Sequence, residues 1–411
     1  MEKFVMWVLV LLPILNIYRL PFGPDIQLGS VIVLITFILC WMQKKKVITT
    51  LPKAFLFYWI YVGVDYFFLT LDNFKISNLI PGGLDFFIWV FTLSFVLCYF
   101  DYNSFRKYYR CAFGICAAIL FYQEISYMLM GNRPLFILPL PLSGQVSSEY
   151  LINSQQMLNR SSAFFREPSQ FAQYALVLLA IEMFEGRKHK RFISKYCGLI
   201  IVSLLVLRSG NGFLGLSVLF LAHTIQYFKK VKAKSRIVTL FLIFPILFFM
   251  GHKYLSSESG REIMERFSQL GTDSESESFD RTFRGYVLYA TLPFINKIIG
   301  ISHDNLVDFI SHSPISILFL RNTADGSVSD TYVNGIQHVL IHYGAIGLFL
   351  FLFVLFKLYK NNEALPKMLV LLFFIMMFVG NQYASHLMLL AMVFAIMQQI
   401  KISKQIINTN Q

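Results

Sequence analysis

The sequence predicts an all-α polytopic membrane protein, a single integral domain over 1–411 with about twelve transmembrane helices. Three observations point there. Of 411 residues, 56% are hydrophobic and only 14% charged, and the mean hydropathy is +0.58, values foreign to a domain that must present a polar surface to water. The apolar residues are gathered into repeated runs long enough to cross a hydrocarbon layer. The Lys and Arg residues concentrate in alternate connections, the pattern that fixes orientation in a bilayer.

In order, spans are expected at 4–20, 26–42, 53–71, 84–100, 111–130, 169–186, 196–208, 211–228, 237–254, 334–356, 368–381 and 384–400. The seventh is short, and only the tight turn Arg208-Ser209-Gly210-Asn211-Gly212 separates it from the eighth. With the N-terminus and Lys3 inside, the even-numbered connections carry Lys44, Lys45, Lys46 and Lys53, then Arg106, Lys107 and Arg110, then Arg187, Lys188, Lys190, Arg191 and Lys195. They continue with Lys229, Lys230, Lys232, Lys234 and Arg236, then Lys357, Lys360 and Lys367, then Lys401 and Lys404. That set holds 23 of the 36 basic residues, although the two longest connections lie on the other side. Both termini are therefore expected in the cytoplasm.

The formal charge of +13 then reports topology, not a polyanion footprint. No nucleic-acid partner is expected, and membrane lipids are. The end of the first span, Leu15-Asn16-Ile17-Tyr18-Arg19, offers no small-residue cleavage site for a signal peptidase. The five cysteines, Cys40, Cys98, Cys111, Cys116 and Cys197, fall near cytoplasmic ends of spans with no metal-ligand spacing, so neither an external disulfide nor a metal site is expected.

Two external connections, 131–168 and 255–333, are far longer than helix packing needs. The first opens with Pro134, Pro139 and Pro141 and ends in Asn159-Arg160-Ser161-Ser162-Ala163-Phe164-Phe165-Arg166-Glu167-Pro168. Pro168 suits the first turn of a helix, where its missing N–H costs nothing. Arg160 and Arg166 beside that positive pole fit a diphosphate, because guanidinium forks match phosphate oxygens two at a time. The plainer reading is a membrane-interface cap with both arginines among headgroups.

In the second connection, Arg261 to Leu270 puts Ile263, Met264, Phe267 and Leu270 on one stripe of an amphipathic helix. Gly271 to Ser278 reads as a solvated linker. Asp280 then offers an N-cap for a second amphipathic helix over 281–299, with Arg281 and Arg284 on one face. A polar turn, Gly300-Ile301-Ser302-His303-Asp304-Asn305, follows, and Arg321, Asp325 and Asp330 close the connection.

Few ionisable residues fall inside spans. Asp65 and Glu124 do, and an intramembrane carboxylate is either a functional group or one tied to a neighbouring Tyr or backbone group. Glu182 and Glu185 read as helix-end residues. His223, His342 and His386 read as packing histidines on apolar helices.

The order of features resembles the bacterial O-antigen and capsule repeat-unit polymerases (the Wzy family), with the O-antigen ligases as cousins. The residues that carry the likeness are Arg160-Ser161-Ser162-Ala163-Phe164 with Glu167-Pro168-Ser169, and Leu207-Arg208-Ser209-Gly210-Asn211-Gly212-Phe213-Leu214-Gly215. They continue with Arg281 and Arg284, Ile298-Ile299-Gly300-Ile301, and Asp330-Thr331-Tyr332-Val333-Asn334-Gly335 leading into Tyr343-Gly344-Ala345-Ile346-Gly347. The likeness covers the second half of the chain; the first five spans match only in hydropathy. Ala163 stands where a glycine is common, and Val333 stands where the ligases keep a histidine, which argues for polymerase over ligase.

The resemblance implies a GT-C-like glycosyltransferase of the bacterial inner membrane that works without metal or other cofactor. Its substrates would be undecaprenyl-diphosphate-linked oligosaccharides, with a chain-length regulator protein as a further partner. Arg160, Arg166, Arg281 and Arg284 are the first candidates for holding diphosphate, followed by Arg208 and Arg321. The general base is sought among Asp330, His303 and Glu167. Glu167, between Arg166 and the helix pole, is read more readily as orienting an arginine or accepting a sugar hydroxyl than as the base. His303 has the chemistry for proton transfer at neutral pH, and Asp330 is placed either for that role or as an N-cap. A lipid-linked-oligosaccharide flippase is the competing class, although no half-to-half similarity supports it.

Overall fold

The computed structural model describes residues 1–20, 27–44, 53–69, 93–94, 96–138, 140–142, 160–184, 195–230, 277–301, 306, 309–310, 333–360, 362–380, 383 and 385–409. Among these, the architecture is all-helical, and the only strand-like pairings are the isolated bridges Tyr18–Leu142 and Arg19–Gln27. The helices are α1 (Glu2–Leu15), α2 (Leu28–Lys44), α3 (Lys53–Leu69), α4 (Tyr102–Met130), α5 (Pro168–Phe184), α6 (Lys195–Val206), α7 (Gly210–Lys230), α8 (Glu277–Thr291), α9 (Phe294–Ile299), α10 (Gly335–Lys360), α11 (Ala364–Val379) and α12 (His386–Thr409).

Two of them, α4 and α10, are long and apolar enough to cross a membrane; α2, α3, α6, α11 and α12 contain shorter apolar stretches. The helix α6 has 12 residues and rises about 18 Å, less than a hydrocarbon layer about 30 Å thick. The expected span at 237–254 and the amphipathic helix at 261–270 lie outside the described residues, as do Pro139, Glu185 and the side chain of Asp65.

At the centre stands α5, whose residues from Phe171 to Phe184 are almost all buried, Gln173 excepted. A helix apolar on every side must be surrounded, and α5 packs against α4, α6, α7, α11 and α12. On the flank, α1 packs on α2 and α4, with Trp7 stacked on Tyr108 at 4.6 Å. Near the start of α4, Arg106 and Arg110, one turn apart, both fork onto Glu182 of α5, with Arg106 Nε 2.9 Å and Arg110 Nε 2.8 Å from its Oε1. Glu182 is thus an interhelical tie and more than a helix-end residue.

The expected helix over 281–299 is two helices. It begins at Glu277, so Asp280 lies inside it and is no N-cap, and it breaks at Leu292-Pro293, where proline removes a backbone donor. Both pieces pack on α10. There α10 itself is broken, because Gly344 adopts φ 64° and ψ −171°, a conformation open in practice to glycine alone. Gly300, at φ 94°, lies backbone to backbone against this break: a Cβ on either glycine would collide with the other segment's carbonyl, at Ile298 or at His342. The groups freed by the break are satisfied locally. Ile301 N–H donates to Ile341 O at 3.0 Å, and Tyr61 donates to Tyr343 O at 3.0 Å.

Candidate functional site

Pro168 is the first residue of α5, as its missing donor allows. The carbonyl of Glu167 accepts from Gln170 N–H at 3.1 Å, which makes Glu167 the cap residue. Its carboxylate accepts from Ser169 Oγ at 3.1 Å and lies 3.9 Å from Arg166 Nε. Just upstream the chain turns sharply, with Ala163 at φ 52°. Two bonds hold that left-handed residue: Ala163 N–H donates to Gln123 Oε1 at 3.0 Å, and Ser162 Oγ donates to Phe165 O at 2.7 Å.

Gln123 and Glu124, consecutive residues near the C-terminal end of α4, gather three segments of chain. Gln123 Nε2 donates to Pro134 O at 3.0 Å. Glu124 Oε1 accepts from Arg133 Nε at 3.2 Å and from the hydroxyl of Ser161, and Arg133 Nε also reaches Ser161 Oγ at 3.2 Å. Arg133 is 1% exposed, and its guanidinium lies 3.5 Å from the centroid of the Tyr127 ring, a cation–π arrangement. The other carboxylate oxygen of Glu124 faces Arg208 Nη2 at 3.9 Å.

Arg208 comes from the turn between α6 and α7 and has φ 49°, a strained backbone for a side chain of that size. Beside the cluster, Arg160 Nε is buried and meets no hydrogen-bond partner among the described residues. Glu124 therefore holds two arginines, Arg133 and Arg208, at the C-terminal end of α4, with Arg160 next in sequence to its partner Ser161, while Arg166 pairs with Glu167 at the start of α5. Among these described residues, two arginines face the one carboxylate of Glu124. From Arg106 to Glu124 the helix rises about 27 Å, so this group stands roughly a hydrocarbon thickness from the Arg106–Arg110–Glu182 tie.

A second polar group forms where α8 meets the N-terminus of α10. Asn334 and Gln337 make a reciprocal cap, Gln337 N–H donating to Asn334 Oδ1 at 2.9 Å and Asn334 N–H to Gln337 Oε1 at 3.0 Å. The Gly285 backbone sits directly on the Gln337 side chain. Asn334 also bonds the Tyr286 phenol, partly offsetting the rise in that phenol's pKa caused by burial. Next to them, Arg284 is 5% exposed. His338 and His342, one turn apart, have ring centroids 4.2 Å from each other, and His338 stacks on Tyr383, whose hydroxyl accepts from Tyr58 at 2.9 Å. His223 and His386 are packing residues, against Phe184 and between Tyr109 and Tyr174 respectively.

Of the residues singled out in the sequence, Arg208 faces Glu124, Arg160 adjoins its partner Ser161, Arg166 and Glu167 pair at the start of α5, and Arg284 lies on α8, which packs against α10. The side chain of Arg281, and His303, Arg321 and Asp330 entirely, lie outside the described residues. Arg133 stands in none of the motifs that the sequence displays. Its signal was available: a carboxylate within an apolar helix needs a counter-charge, and Arg133 is the first arginine after α4. No protein-family model matches the chain, and no curated protein matches it.

Proposed function

We propose that this chain polymerises undecaprenyl-diphosphate-linked oligosaccharide repeat units in O-antigen or capsule biosynthesis, as a GT-C-like, twelve-span glycosyltransferase of the bacterial inner membrane with both termini cytoplasmic. The observation that carries the reading is the pair of arginines, Arg133 and Arg208, on the one carboxylate of Glu124, with Arg160 Nε, next in sequence to Ser161, buried and without a hydrogen-bond partner among the described residues. In the reaction a sugar hydroxyl oxygen of the incoming unit attacks the anomeric carbon of the growing chain. The bond from that carbon to the lipid diphosphate breaks, the diphosphate keeps the electron pair, and the hydroxyl proton passes to a base, for which Asp330, His303 and Glu167 remain the candidates. Arginines preorganised where that charge develops are the needed chemistry when no metal is used.

The likeness in motif order supports the same reading. So does the meeting of two of those motifs, Ile298 to Ile301 and Tyr343 to Gly347, in one backbone contact.

The test is deletion of the gene followed by analysis of the surface glycolipid. Single repeat units on the glycolipid are the expected result. Complete absence of units would point to a flippase and overturn the proposal. Lys at Arg160, Arg166 or Arg284 should lower elongation, because it keeps the charge and loses the fork.

A further inference from the structure

Glu124 belongs to none of the motifs that suggested a function, yet it is the hub of the arginine group. Its two oxygens are used differently. Oε1 holds Arg133 and Ser161 at hydrogen-bond distance inside the protein. Oε2 faces Arg208 at 3.9 Å, beyond a hydrogen bond, and the Arg208 side chain is 32% exposed. Arg133 is thereby committed, with its Nε shared between Glu124 and Ser161 and its face on Tyr127. Arg208 is only loosely engaged. Its backbone is held at φ 49°, which fixes where the side chain leaves the turn.

We infer that Glu124 is a positioning residue that parks Arg208 beside the anion site and yields it to an incoming diphosphate. The inference rests on the polymerase reading for the identity of that anion. With the site empty, the carboxylate offsets the charge of Arg208 and anchors Ser161, and through it the Arg160 segment. When a diphosphate enters, Arg208 exchanges a 3.9 Å contact for charge-assisted bonds to phosphate oxygens. The carboxylate competes with the anion for Arg208, so part of the binding energy is withheld until Arg208 moves.

Glu124→Gln keeps an acceptor oxygen for Arg133 Nε and Ser161 Oγ and removes the charge. The experiment titrates inorganic pyrophosphate into the purified full-length protein in detergent, with and without added phosphatidylglycerol, and measures elongation of a lipid-linked oligosaccharide. The expected result is pyrophosphate binding about tenfold tighter in Glu124→Gln, because Arg208 no longer has to be drawn from a carboxylate to reach phosphate, together with a lower kcat and no rise in KM.

Arg208→Ala should weaken pyrophosphate binding about tenfold. Adding Glu124→Gln to Arg208→Ala should then give little further tightening. Unchanged or weaker binding in Glu124→Gln while the wild type binds would overturn the role of Glu124 alone. Pyrophosphate binding abolished by phosphatidylglycerol would make the site one for ordinary headgroups and overturn the inference. A wild type that binds pyrophosphate, with the expected changes, but elongates nothing would remove the polymerase reading and leave the part played by Glu124 in place.

Discussion

Arg208→Gly separates a strained turn from a working arginine. A non-glycine residue at φ 49° costs about 1–2 kcal/mol in the left-handed region. Glycine removes that cost and adds about 0.5–1 kcal/mol from the greater freedom of its unfolded chain. The pair with Glu124, at 3.9 Å and with the Arg208 side chain 32% exposed, is worth about 0–1 kcal/mol. The three contributions nearly cancel, so Arg208→Gly should lie within about 0.5 kcal/mol of wild type. Arg208→Ala keeps the strain and loses the pair, and should be roughly 0.5–1 kcal/mol less stable than Arg208→Gly.

Elongation should fall in both variants by about a hundredfold, the scale for removing one donor from a developing negative charge. Thermal unfolding followed by tryptophan fluorescence and elongation of a lipid-linked oligosaccharide provide the two readings. Full activity in Arg208→Gly would show that Arg208 only ends a helix. An Arg208→Gly protein less stable than Arg208→Ala would refute the account of backbone strain.

Three further outcomes follow from the packing. Gly344→Ala puts a Cβ against the Ile298 carbonyl at φ 64° and should cost about 2–5 kcal/mol from left-handed strain plus overpacking, seen as a loss of monodisperse protein in detergent. Glu182→Ala leaves Arg106 and Arg110 without their shared carboxylate and should cost about 1–3 kcal/mol, reduced because both arginines are partly solvated; a midpoint unchanged by thermal unfolding would show that the tie contributes nothing.

Asp101 caps α4 by accepting from Ser104 N–H at 3.0 Å, and the bonds from Ser104 hold its carboxyl below the usual carboxylate range. Its contribution, about 1 kcal/mol against Asp101→Ala, should be present above the unfolded pKa near 3.9 and disappear as pH falls through the lower folded value. The stability difference between wild type and variant, followed across that range, checks the sign.

The sequence by itself located most of the described helices, though not the break between α8 and α9, because apolar runs and their breakers act locally. Pro168 opens α5, and Arg208-Ser209 separates α6 from α7, as the residue types require. It also marked Arg160, Arg166 and Arg208 as chemically notable, since an arginine next to an apolar helix has few inexpensive places to go.

Only the tertiary structure decided which of these meet. Glu124 and Arg133 are nine positions apart, but Ser161 and Arg208 reach them from connections whose paths no periodicity describes. The break in α10 was equally hidden. Gly344 is one glycine among 23, and nothing in its neighbours says that it bends. It bends because Gly300, 44 positions earlier in the sequence, brings its backbone to the same place, and two backbone segments without side chains approach closer there than any other residues allow.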